Sequence, residues 1–169
     1  MKGKIIYITY YWPPAGGPGV QRNLKFVKYL KTLGWDPIVI TLKNGTYPSI
    51  DKSLEKEIPS NLRVVRTKTA EPFLIYNLLQ GKTKKEATVA LSGVQNNKSL
   101  FKKFSMWLRS TLFVPDARIG WKPYAIKAAE KLIKDEDIKA IITTGPPHST
   151  HLTGLHLKKK YNIPWLMDF

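Results

Sequence analysis

The turn Tyr10-Tyr11-Trp12-Pro13-Pro14-Ala15-Gly16-Gly17-Pro18-Gly19-Val20-Gln21-Arg22 holds the first residues whose types and spacing could do chemistry. An apolar run, Lys4 to Thr9, leads into it, and a helical pattern starting near Val20 leads out. Gly16, Gly17 and Gly19 leave backbone N–H groups bare at a helix N-terminus, a place that accepts a phosphate or another anion. Arg22 in the first helical turn adds a cation on that reading and is an ordinary surface residue on the plainer one. The loop as a whole also reads as a tight strand-to-helix turn without a ligand. His148 stands in a second turn of this kind, Gly145-Pro146-Pro147-His148-Ser149, either as a ligand-facing imidazole or as a cap or surface residue. Asp168 closes the last strand-like run, as a site carboxylate or as a plain strand-end one. All three features fall at the carboxyl ends of strands, the edge where open α/β sheets bind ligands.

Other chemistries are excluded by the same residues. Gly17-x-Gly19-x-x-Arg22 has Arg where the dinucleotide fingerprint needs its third Gly, so a standard NAD site is not expected. Gly81-Lys82-Thr83 imitates the tail of a phosphate-binding P-loop, but Tyr76 stands where the first Gly belongs and no clear buried strand precedes it. His148 and His151 have helical spacing, yet no cysteine and no third ligand accompanies them, and no metal is expected.

These residues must be positioned by a chain of 169 residues, 43% hydrophobic, enough for one domain with a real core. The absence of cysteine excludes disulfides and thiolate metal sites and fits a reducing compartment. Met1-Lys2-Gly3-Lys4 runs straight into the first strand, unlike a signal peptide, and no run approaches the roughly 20 apolar residues of a membrane span. The expected location is cytoplasmic. The net charge of +16 implies nucleic acid, an anionic membrane surface, anionic small molecules or simply a well-solvated surface.

Periodicity supplies the elements. Lys4–Thr9, Pro37–Leu42, Leu62–Thr67, Ile138–Thr144 and Pro164–Asp168 read as strands, the short β-branched runs of a buried parallel sheet. Val20–Leu33 reads as a helix with Val20, Leu24, Val27, Leu30 and Leu33 on one face and Gly34 as its stop. Pro123–Lys134 reads as a helix with Pro123 in its first turn. The helix after His148 ends in Lys158-Lys159-Lys160, which complements its negative dipole end. The order is that of an α/β, Rossmann-like open parallel sheet with helices on both faces.

An insertion at about 69–116 breaks the alternation. Its segment 81–99 is polar and reads as a loop, and Phe101–Phe113 reads as a basic amphipathic helix. Phe101, Phe104 and Trp107 beside Lys102, Lys103 and Arg109 fit a lipid headgroup layer, stacking on nucleic-acid bases, or packing on the domain's own core. The chain holds no RNA-binding signature, so a membrane surface is preferred to nucleic acid.

Tyr11-Trp12-Pro13-Pro14-x-Gly16-Gly17-x-Gly19, then Arg22, then Gly34-Trp35-Asp36-Pro37-Ile38-Val39-Ile40-Thr41 resembles the opening of family-4-like glycosyltransferases of the GT-B fold. Thr143-Thr144-Gly145-Pro146-Pro147-His148-Ser149 and Trp165-Leu166-Met167-Asp168-Phe169 are similar to two later landmarks of the same N-terminal domain. The resemblance covers nearly all of the chain outside the insertion.

It implies a retaining, metal-independent enzyme of two domains, in which residues 1–169 form the single N-terminal, acceptor-side domain. The C-terminal donor-binding domain, with its paired-Glu signature, is expected to lie outside this chain, and the fragment alone to be inactive. Gly16 and Gly17 would approach the diphosphate of a nucleotide-sugar donor. His148 would lie close to the transferred sugar, and Asp168 would orient an acceptor hydroxyl or hold His148. The acceptor would be a glycan or lipid-linked molecule of the cell surface, reached from the inner face of the cell membrane. The alternative from another class is a non-catalytic anion- or nucleotide-binding module whose basic surface binds nucleic acid.

Overall fold

The computed structural model describes residues 2–45, 47–70 and 114–169. The segments read above at 81–99 and 101–113 lie outside the described residues. So do Phe101, Lys102, Lys103, Phe104, Trp107 and Arg109.

Five strands form one sheet: β1 (Gly3–Ile8), β2 (Trp35–Leu42), β3 (Arg63–Thr67), β4 (Ile138–Thr144) and β5 (Trp165–Asp168). Their spatial order is β3-β2-β1-β4-β5, and every pairing is parallel. Parallel strands need crossovers, and these are helical: α1 (Pro18–Thr32), α2 (Lys122–Asp135) and α3 (Ser149–Tyr161). The chain is therefore an α/β protein with a Rossmann-like open parallel sheet, and the order of elements matches the periodicity.

Both faces of the sheet are covered. On one, Tyr7 and Val39 meet Val20, Leu24 and Val27 of α1, with Leu54 from the short 3-10 helix Lys52–Glu57. On the other, Ile6, Ile8, Ile38, Ile40 and Ile141 meet Trp121, Ala125, Ala129 and Leu132 around α2 and Leu157 of α3. This is why the strands read as nearly continuous apolar runs rather than alternating ones. Each large side chain so buried stabilises the fold by about 1.5–3 kcal/mol.

Three details differ from the periodic pattern. Leu30 is only half-buried and Leu33 is exposed, because α1 stops at Thr32 and Leu33 is already its C-cap. Gly34 follows with φ +86, the conformation that a helix stop of this type requires. The 3-10 helix, capped by Asp51 through the Ser53 N–H at 2.9 Å, has no periodic signature in six residues. Among the described residues, no helix is long and apolar enough to cross a membrane.

α3 lies close to β5 because Gly154 is bare. A Cβ at Gly154 would collide with Nε1 and Cε2 of the Trp165 indole. Trp165 cannot readily move aside, since its Nε1–H donates to Thr143 Oγ1 at 2.9 Å. Gly154→Ala should therefore lower stability by about 1–3 kcal/mol, even though alanine favours an exposed helix by about 1 kcal/mol over glycine. Urea unfolding of the two proteins measures the difference, and a neutral or stabilised variant would refute this packing.

Candidate functional site

The site lies where β1, β4 and β5 end. β1 runs into Thr9, Tyr10, Tyr11 and Trp12, and both Tyr10 and Trp12 are fully buried. Tyr10 packs edge-on to Trp121 at 5.7 Å, and Trp12 joins the core beneath α1. The aromatic lead-in to the glycines is thus core, and its presence needs no ligand.

Asn23, 3% exposed on the inner face of α1, ties the helix to this turn. Its Nδ2 donates to Thr9 Oγ1 at 2.9 Å and to the Tyr11 carbonyl at 3.2 Å, while its Oδ1 accepts from the Tyr7 hydroxyl at 2.9 Å. A buried polar group requires such partners. Burial, then the charge of Asp168, pushes the Tyr7 hydroxyl well above the usual phenol range, so Tyr7 is a fixed donor to Asn23.

The three glycines differ from one another. The Gly16 N–H donates to the Ser49 carbonyl at 3.0 Å, and a Cβ there would lie 2.9 Å from Ser49 Oγ. Gly16 is thus clamped to the 49–51 segment, which corrects its assignment as part of an anion cradle. Val20 and Gln21 both donate back to the Gly17 carbonyl, and Pro18 has no N–H. Among the described residues, the N–H groups of Gly17 and Gly19 take no acceptor. Gly17, with φ +106, caps α1, and nothing lies within 4 Å of a Cβ placed on Gly17 or Gly19. The opening expected at three glycines is confined to these two.

Arg22 is neither free nor a plain surface residue. Its guanidinium forks onto Asp168, with Nη1 3.2 Å from Oδ1 and Nη2 2.9 Å from Oδ2. Nη2 also donates to Thr144 Oγ1 at 3.1 Å and to the Gly145 carbonyl at 3.2 Å. This corrects two expectations. Arg22 is not an uncommitted cation for a ligand, and Asp168 holds Arg22 and Thr144 rather than His148. The Thr144 hydroxyl donates to Asp168 Oδ2 at 2.8 Å, and the Gly145 N–H donates to the Asp168 carbonyl at 2.8 Å. One α1 side chain therefore joins the ends of β4 and β5 to the first turn.

His148 is exposed at the N-cap of α3 and makes no side-chain cap. The cap comes from Asp116, whose carboxylate accepts from the Ser149 N–H at 2.7 Å and from the Ser149 hydroxyl at 2.8 Å. The exposed His148 ring instead packs against the rings of His151 and Phe169. His151 lies one turn on, buried, with its ring stacked 6.1 Å from that of His148. Burial first, then the neighbouring His148, holds the His151 imidazole below the usual histidine range, against the pull of Asp168.

Three participants carry no role in the sequence reading, Asn23, Asp116 and Thr144, and His151 enters it only as a rejected metal ligand. Asn23 alone carried a signal, being polar beside Val20, Leu24 and Val27 on an otherwise apolar face. Among the described residues, no group of three or more His, Cys, Asp or Glu side chains could hold a metal ion.

No family model and no curated protein matches the chain. Two crystal structures of the C-terminal domain of a hydrogenase from Pyrococcus furiosus are similar to it. One, of residues 83–215, has 15% identity and TM-score 0.48, covering 98% of this chain and 90% of that one. The other, of residues 78–226, has 16% identity and TM-score 0.46, covering 99% and 91%. Likeness at this level carries no argument about activity.

His151 makes stability depend on pH. Its folded pKa lies below the unfolded value of 6.5, so below that pH the unfolded chain binds the extra proton. Stability should fall as pH drops from 6.5 toward the folded pKa and level off beneath it. Glu130 and Glu136, held below the carboxylate value of 4.5 by Lys160 and Lys4, add their loss only at lower pH. Urea unfolding at pH 7.5 and pH 5 (roughly one unit or more to either side of the ordinary histidine pKa) should show the loss. The His151→Gln variant should show a smaller one; equal slopes would refute the assignment.

Proposed function

We propose that this chain is the acceptor-side, N-terminal domain of a GT-B glycosyltransferase. It moves a sugar from a nucleotide-sugar donor to a glycan or lipid-linked acceptor. The observation that carries the reading is the convergence at one sheet edge: open N–H groups at Gly17 and Gly19, exposed His148, and Asp168 fixed between them by Arg22. The sequence resemblance would set Gly17, His148 and Asp168 beside a cleft between two domains.

In this mechanism the N–H groups of Gly17 and Gly19 offset charge building on the departing diphosphate. Helix α1, with Pro18 at its first position and no acidic residue in its first turn, adds its positive end. His148 donates a hydrogen bond to the transferred sugar or the acceptor. Asp168 acts through geometry, since its carboxylate is committed to Arg22 and Thr144. The basic insertion and the net charge of +16 fit an acceptor presented at an anionic membrane surface.

The test is sugar transfer from a panel of nucleotide sugars to membrane extract by the full gene product. Gly17→Val and His148→Ala should each lower the rate about 100-fold while leaving the unfolding midpoint of the His148 variant unchanged. Activity with no donor, or full activity in both variants, would refute the reading.

A further inference from the structure

His151 has no part in the mechanism above, yet its environment is specific. The Trp165 Nε1–H is an obligate donor and gives its proton to Thr143 Oγ1 at 2.9 Å. Thr143 is fully buried, and its Oγ1 lies 2.8 Å from His151 Nδ1. No other acceptor lies within reach of the Thr143 hydroxyl among the described residues. A buried hydroxyl proton left unpaired costs about 1–3 kcal/mol, so Thr143 donates to Nδ1. A neutral imidazole has a single N–H, which therefore sits on Nε2.

Among the described residues Nε2 has no partner, in a side chain only 7% exposed. It borders the bare face of Gly145, where a Cβ would lie 3.1 Å from His151 Nε2 and 3.0 Å from His148 Nδ1. The two imidazoles thus converge on one glycine. A protonated Nε2 has no lone pair for a cation and asks instead for an acceptor oxygen. The surrounding charges say which kind. Asp168 is near, Asp116 fills the N-terminus of α3, and Arg22 is already paired. An anionic oxygen would meet the Asp168 carboxylate and no free cation among these groups, whereas a neutral hydroxyl oxygen would not be repelled. Phe169, 73% exposed, lays its ring 4.5 Å from that of His151 and 5.9 Å from that of His148. Such a ring matches the C–H face of a sugar.

We propose that His151 is a positioning residue for carbohydrate: its Nε2–H, set by the Trp165–Thr143 relay, donates to a neutral sugar hydroxyl seated between the Gly145–His148 turn and the Phe169 ring. Entry of the sugar displaces the exposed Phe169 side chain from Nε2. This deepens the transferase reading and rests on it only for the class of ligand.

The experiment is NMR of the imidazole nitrogens in protein labelled with 15N-histidine. The free protein should show His151 protonated at Nε2 and bare at Nδ1, and Thr143→Val should give a mixture of tautomers. Methyl α-glucoside, methyl α-galactoside and methyl α-mannoside are then titrated separately, with inorganic phosphate as the opposing arm. At least one hexoside should shift the His151 Nε2 resonance saturably, and phosphate should not. A wild-type Nδ1–H tautomer, no response to any of the three hexosides, or a response to phosphate alone overturns the proposal. Hexoside binding at His151 without transfer by the full gene product would sink the transferase reading and leave this one standing. Transfer that depends on His148, with KM for the sugar donor and for the acceptor both unchanged in His151→Gln, would do the reverse.

Discussion

The fork of Arg22 onto Asp168 is the contact that makes three separate strand ends into one site. Its energy is modest. Both partners are partly exposed, at 37% and 21%, and a pair of this kind contributes about 1 kcal/mol or less. Its importance is geometric. A planar guanidinium binds a carboxylate in one orientation and still reaches the Thr144 hydroxyl and the Gly145 carbonyl. The start of α1, the end of β4 and the end of β5 are thereby held in register at the edge of the sheet. Asn23, next in sequence, does the same work on the buried side with neutral hydrogen bonds to Thr9 and Tyr11. Two consecutive residues of one helix thus face two different layers of the site.

This pairing changes the electrostatic character of this edge of the sheet. The chain carries 28 Lys and Arg against 12 Asp and Glu, and a cationic edge would be the simplest inference from that excess. Instead Arg22 is paired with Asp168, a carboxylate caps α3, and burial disfavours the charged form of His151. Excess charge is found elsewhere, for example on Lys158, Lys159 and Lys160 at the far end of α3. The open N–H groups of Gly17 and Gly19 remain the anion-attracting feature of the turn. The His148 side of this edge presents aromatic and imidazole surface.

Much of the fold was legible because its causes are local. β-branched apolar runs such as Ile5-Ile6-Tyr7-Ile8 and Ile138 to Thr144 are strands for reasons within the run, and Gly34 ends α1 by its own φ. Burial on both faces follows from parallel pairing. Where the periodic reading failed, a neighbour was responsible: Leu33 is exposed because the helix ended one residue before it. The site was legible only in outline. Gly17, His148 and Asp168 lie at the expected edge, but Gly16 is held by Ser49, far enough along the chain that no local pattern signals it.

The sequence by itself determined the α/β class, the strand positions and the edge at which the glycines, the imidazole and the carboxylate meet. Those properties depend on side-chain volume, β-branching and backbone freedom within a few residues. Only the tertiary structure decided which polar groups are committed and which remain open. Arg22 meets Asp168 across 146 positions, and Ser149 meets Asp116 across 33. Hydrogen bonds at such separations arise from the stacking of elements, and no residue type announces its distant partner. His151 differs from His148 for the same reason: three residues apart, one is exposed at the N-cap of α3 and the other is buried against Thr143 with a single nitrogen left to bind.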